Sequence, residues 1–166
     1  MLQQTQVTTV IPFFNRFIKN LPSINSLAKV NDKRLIKLWE GLGYYSRARN
    51  LKKTAVSIIK NFEGKLPDNL EDLLTLPGIG SYTANAILAI AFNKPYIPLD
   101  GNIERILKRY LYLKKDKEIQ RDYLLQRKIV FGKTLRSSDY AQALMELGAL
   151  ICKPKNPLCN QCPIIK

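Results

Sequence analysis

The chain has 166 residues, 46% of them hydrophobic, with 27 Lys and Arg against 13 Asp and Glu and no His. That length fits one compact unit or two small lobes sharing a core, and a net charge of +14 favours a polyanionic partner through counterion release. No apolar run reaches membrane-span length and no signal-peptide pattern opens the sequence; with three Cys crowded between 152 and 162, a poor layout for disulfides, a cytoplasmic, reducing compartment and no membrane contact are expected.

Apolar residues recur at helical spacing throughout, and nothing reads as a strand, so an all-α fold is expected. Met1-Leu-Gln-Gln-Thr5 looks like the middle of a helix. Val7, Val10, Ile11, Phe14 and Ile18 form one stripe, with Pro12 set to bend the helix or leave a carbonyl unpaired. Ser23 and Asn31 can cap two short helices, the second carrying Leu35, Leu38 and Trp39. Leu51, Ala55, Ile58, Ile59 and Phe62 mark a longer helix closed at Gly64. Asn69 caps a short helix that leads into a tight turn, and Thr83 to Phe92 continues beyond it. Ile103, Ile106, Leu107 and Tyr110 mark a helix, Ile119 to Phe131 another, and Ser137 or Ser138 caps the last. The total is about nine or ten helices, few longer than about four turns. The seam between lobes is expected in Pro95–Asp100, giving lobes of 1–97 and 98–166 with Asp100 in the cleft between them.

Leu76-Pro-Gly-Ile-Gly80 reads as a hairpin turn between helices. Gly78 and Gly80 lack a Cβ that would obstruct a phosphate and can take positive φ; Ser81 can cap the next helix. The bare N–H groups at that helix start attract anions, and for a basic protein a DNA phosphate is the commonest large one. Asp100 follows in a Pro- and Gly-flanked loop, with Asn102 close behind. An N-cap is its plainer role, and a catalytic carboxylate the alternative. Gly41-Leu-Gly-Tyr-Tyr45 with Arg47 and Arg49 joins a flexible turn to aromatic rings and cations, a combination that stacks on bases and holds phosphates. Gln3, Gln4 and Gln6 could hydrogen-bond base edges. Cys152, Cys159 and Cys162 have spacing suited to zinc or an iron–sulfur cluster, both of which want four ligands.

Together these motifs resemble the adenine DNA glycosylases of the MutY type, within the endonuclease III-like helix–hairpin–helix superfamily. The likeness runs along essentially the whole chain, through Met1-Leu-Gln-Gln-Thr-Gln-Val7, Gly41-Leu-Gly-Tyr-Tyr45, Leu76-Pro-Gly-Ile-Gly80, Leu99-Asp-Gly-Asn102 and the Cys cluster. It implies two helical lobes and a monofunctional enzyme. That enzyme acts as a monomer on double-stranded DNA at the bacterial nucleoid, excising adenine opposite 8-oxoguanine or guanine. Asp100 then stabilises the oxocarbenium-like sugar, with Asn102 beside it. Tyr82 stands where bifunctional relatives carry a lysine nucleophile, so no Schiff base forms. Gln4 and Tyr44 wedge into the duplex, with Gln3, Thr5, Arg47, Arg49, Gly78, Gly80 and Ser81 also on DNA. The three cysteines hold part of a [4Fe–4S] cluster. The family's general-acid glutamate falls two residues before Met1 and its fourth cluster cysteine two beyond Lys166. An interior fragment of a catalytic core with little or no turnover is therefore expected. The rivals are a thymine (T:G) mismatch glycosylase of the same superfamily and a non-catalytic helix–hairpin–helix module with structural zinc.

Overall fold

Residues 1–2, 5–111 and 134–164 are described by the structure, a computed structural model. All regular structure among them is helical: α1 Val7–Asn20, α2 Ile24–Lys29, α3 Asp32–Trp39, α4 Ser46–Asn61, α5 Leu70–Thr75, α6 Ser81–Ile90, α7 Gly101–Tyr110, α8 Ser137–Leu150 and a 3₁₀ turn at Cys159–Gln161. The helix expected over Ile119–Phe131 lies outside the described residues.

The chain divides into two compact units, Met1–Ile79 and Gly80–Lys166. The boundary expected at 97/98 therefore falls inside the second unit. The reason is α6, which packs against α8 and so belongs with the C-terminal half.

In the first unit α1 packs on α3, and α4 on both α2 and α3. Val10, Phe17, Leu35, Leu38, Trp39 and Ala48 fill the core, with Phe17 and Trp39 edge to face at 6.0 Å. The expected caps at Ser23, Asn31 and Asn69 all form: the side chains accept from the N–H groups of Ser26, Arg34 and Asp72. Gly64 closes α4 with φ +77 and donates to the Ile58 carbonyl at 3.1 Å.

Two local expectations fail here. Met1, Leu2, Thr5 and Gln6 lie outside any helix, and α1 starts only at Val7. The buried face of α1 is Val10 and Phe17, with Phe13 half-buried, whereas Val7, Ile11, Phe14 and Ile18 are exposed. The helix carries apolar residues on both faces, so spacing alone could not say which one meets α3. Pro12 sits inside α1 on its exposed side, with Thr8, whose carbonyl it cannot bond, exposed as well. Water can satisfy that carbonyl.

The second unit is organised by α8, which packs against both α6 and α7. Ile97, Ile103, Ile106, Leu107, Leu144 and Leu147 are buried together. Neither Ser137 nor Ser138 caps α8; its N-cap is Arg136 without a side-chain bond. Ser137 is buried instead, and the Ser138 N–H donates to Asn93 Oδ1 at 3.0 Å. A side chain from another segment thus does the work of a local cap. The close approach of α7 and α8 depends on Gly148, where a Cβ would come within 2.6 Å of Asn102 Cβ.

Candidate DNA-glycosylase site

The hairpin turn is pinned to α4. Thr54, buried in the apolar face of α4, donates its hydroxyl to the Pro77 carbonyl at 2.6 Å. Gly78 has φ +80, and a Cβ there would meet Asn50 Cβ at 2.8 Å. Glycine is needed for both the backbone conformation and the packing. Gly80 differs from expectation: its φ is −95° and its ψ 179°, ordinary extended backbone, and a Cβ would touch nothing within 4 Å. Its side is open, which leaves room for an approaching group.

Ser81, expected as the cap of α6, is instead its first residue; Gly80 is the N-cap and, among the described residues, no side chain caps the helix start. Gly80, Ser81 and Tyr82 are all exposed. An exposed helix start without a side-chain cap presents amide hydrogens to solvent, the arrangement that binds a phosphate.

Tyr82 sits on the first turn of α6, 40% exposed. Its phenol pKa is raised above 10.0, first by partial burial and then by the negative charge of Asp100. It is a neutral hydroxyl at neutral pH.

Asp100 is the N-cap of α7. Its Oδ1 accepts from the N–H groups of Asn102 at 3.0 Å and Ile103 at 2.8 Å, and its Oδ2 from Asn102 Nδ2 at 3.3 Å. Both readings of this residue can therefore hold at once. The cap fixes the carboxylate's orientation, and a half-buried carboxylate so oriented is available to stabilise a developing cation.

Arg105, which sequence reasoning missed, organises the surroundings. Its guanidinium donates to Asn102 Oδ1 at 2.9 Å, to the Gly148 carbonyl at 2.7 Å and to the Cys152 carbonyl at 2.7 Å. One side chain thus joins the residue beside Asp100 to the end of α8 and the start of the cysteine segment. Its position three residues after Asn102, on the same face of a helix, was the available signal.

Arg109 reaches the same segment, donating to Cys152 Sγ at 3.3 Å and the Lys153 carbonyl at 2.9 Å. Cys152, Cys159 and Cys162 line one cavity of about 160 Å³, walled by Ile106, Leu147 and Ile151. Among the described residues no three Cys, His, Asp or Glu side chains are grouped to hold a single metal ion. Zinc and an iron–sulfur cluster each take four ligands, of which these three thiols could supply three.

In the first unit Tyr44 is exposed with φ +46, at the turn before α4. Arg47 stacks between Trp39 and Tyr44, 5.6 and 5.5 Å from their centroids, and donates to the carbonyls of Met1 and Leu42 at 2.9 and 3.1 Å. Its guanidinium holds the Tyr44 turn in place. Arg49 is exposed on α4. Thr5 is half-buried and its N–H donates to the Leu2 carbonyl at 3.2 Å. Gln3 and Gln4 lie outside the described residues.

A Leu-Pro-Gly turn thus leads from α5 into α6, whose start is uncapped among the described residues, and a carboxylate heads α7. The chain belongs to the HhH-GPD superfamily of base excision DNA repair proteins, whose family model matches residues 1–129. It is 43% identical over 164 residues to an adenine DNA glycosylase of Buchnera aphidicola subsp. Baizongia pistaciae, covering 99% of this chain and 47% of that protein. The chain spans about half the length of the Buchnera relatives it matches. Among solved structures it resembles a thermostable thymine-DNA glycosylase, with a TM-score of 0.85 and 28% identity over 98% of this chain and 76% of that one. It also resembles an endonuclease III trapped as a covalent intermediate on DNA, with a TM-score of 0.76 and 25% identity over the same shares.

Proposed function

We propose that the protein carrying this chain is a monofunctional DNA glycosylase that removes adenine mispaired with 8-oxoguanine or guanine. The observation that carries the reading is Asp100: a carboxylate held by its own helix start, beside Tyr82 at a position without an amine. The 43% identity to an enzyme named adenine DNA glycosylase supports the choice of base.

The uncapped start of α6 takes a backbone phosphate of the duplex. Tyr44, and Gln4 by resemblance, wedge beside the lesion, which lowers the cost of flipping adenine out of the stack. The base leaves as it is protonated, a step that the resemblance gives to a glutamate ahead of Met1. Asp100 faces the sugar cation that forms, and water completes the hydrolysis, a division of labour like that of paired carboxylates in glycosidases. Tyr82 offers a phenol rather than an amine, so no covalent enzyme–DNA imine arises and the strand stays intact. Cys152, Cys159 and Cys162 would hold three irons of a [4Fe–4S] cluster, which when bound supplies a rigid, redox-capable crosslink for the C-terminal segment.

A second reading, a thymine glycosylase acting on T:G mispairs, draws support from the likeness to the thymine-DNA glycosylase structure. Matched duplexes carrying A:8-oxoguanine, A:G and T:G, incubated with the full-length protein and then with alkali to break abasic sites, test both. The adenine reading expects cleavage of the first two only. Preferential cleavage of T:G would replace it with the second reading.

A further inference from the structure

Asp100 is reached through a segment with few backbone–backbone hydrogen bonds among the described residues. Pro95 and Pro98 have no N–H to donate. Lys94 donates to the Leu88 carbonyl at 2.8 Å and Tyr96 to the Lys94 carbonyl at 2.7 Å. Ile97 and Pro98 are fully buried, and the Ile97 carbonyl is met by a side chain: Asn85 Nδ2 donates to it at 3.1 Å. Asn85 lies on α6 three residues after Tyr82, hence on the same face of that helix.

We infer that Asn85 is a positioning residue, holding Asp100 at a fixed distance from Tyr82 by gripping the backbone three residues ahead of the carboxylate. The inference rests on the glycosylase reading of Asp100. The backbone around that carboxylate is then held from both sides. Ahead of it, Asn85 fixes Ile97; behind it, Asp100 caps α7. Between the two anchors Pro98 fixes its own φ, leaving little freedom for the carboxylate to drift. Because α6 carries both Tyr82 and Asn85, the helix that presents the phosphate-binding start also sets the register of the acid.

The amide makes a poor choice for packing alone. Its Oδ1 is buried and accepts no bond in the described residues. An apolar side chain would avoid that desolvated oxygen. It would also leave the Ile97 carbonyl without its donor. The carbonyl grip is the contribution that no apolar residue could make.

The test uses the full-length protein and an A:8-oxoguanine duplex, measuring the single-turnover excision rate and the DNA dissociation constant separately. Asn85→Asp keeps the shape but turns the donor into an acceptor facing a carbonyl; Asn85→Ala removes the bond without adding charge and serves if the first variant does not fold. A misplacement of about 1 Å can lower a rate about 100-fold. A fall of about 10- to 100-fold in excision rate is expected in either variant, with the dissociation constant unchanged within about twofold. The loss should be the same on A:G, since Asp100 acts on the sugar and not on the opposite base. A wild-type rate in a folded variant, or an equal loss in rate and in affinity, would overturn the inference. Asp100→Asn is assayed in parallel. If it too excises normally, the catalytic reading fails and the inference with it; if it is dead while the Asn85 variants are fully active, the inference fails alone.

Discussion

Asp100 and Ile103 are joined by a 2.8 Å hydrogen bond from the Ile103 N–H to Oδ1, so the acid assigned to catalysis is also the cap of α7. Asn caps a helix about as well as Asp, whereas Ala loses the cap at a cost of about 1 kcal/mol. Asp100→Asn should therefore melt near the wild-type temperature, and Asp100→Ala should lose about 1 kcal/mol in urea titration. Equal destabilisation by the two variants would mean that the carboxylate's charge, and not its capping, sustains α7.

The hairpin turn depends on Thr54, whose hydroxyl meets the Pro77 carbonyl at 2.6 Å from a buried position. Thr54→Val keeps the shape and removes the donor. It should cost about 1–2 kcal/mol of stability. It should also weaken binding to undamaged duplex DNA, because the turn it holds leads into the helix start proposed to take a phosphate. Fluorescence anisotropy with a labelled duplex reads the second effect.

Gly78→Ala should be the more damaging change to the turn. It combines a residue at φ +80 with a Cβ 2.8 Å from Asn50 Cβ. A loss of about 1–3 kcal/mol is expected from the backbone alone. Gly80→Ala, whose Cβ would meet nothing and whose φ is ordinary, should leave stability within about 0.5 kcal/mol while lowering DNA affinity. That pair of variants separates a structural glycine from one whose openness serves the ligand.

Arg105→Gln removes a guanidinium that joins Asn102, Gly148 and Cys152. Charged hydrogen bonds of this kind carry about 1.5–3 kcal/mol each, and they are not additive. A stability loss on the order of 2–4 kcal/mol is expected, with iron content falling in the purified full-length protein. Retained stability and full excision would show that the cysteine segment and the Asp100 site are independent.

Tyr82 gives a pH prediction. Its pKa in the folded chain is raised by partial burial and by Asp100. The stability linked to the neutral phenol is fully present below its unfolded pKa of about 10 and is lost as pH rises through the higher folded value. Thermal melts between about pH 9 and pH 11 should therefore fall more steeply for wild type than for Tyr82→Phe. Parallel curves would mean that the phenol is not perturbed.

Helix identity was legible because capping and periodicity are local: Ser23, Asn31, Asn69 and Gly64 behave as their types dictate. What sequence could not supply was tertiary choice. Nothing local says that α1 turns Phe17 inward and Phe14 outward, or that Asn93 rather than a serine meets the start of α8. Asp100, Asn102 and Tyr82 were visible as motif residues. Thr54, Asn85 and Arg105 were not, because each acts on a carbonyl distant in sequence, and carbonyls leave no mark on residue type.

The central claim is that Asp100 stabilises the sugar cation during loss of adenine. Single-turnover release of adenine from an A:8-oxoguanine duplex, comparing the full-length wild-type protein with Asp100→Asn, tests it most directly. Removing a preorganised charge of this kind costs about 10²–10³-fold in rate. A loss of at least that size, with DNA affinity retained, is the predicted result; excision by Asp100→Asn within about tenfold of wild type would contradict it.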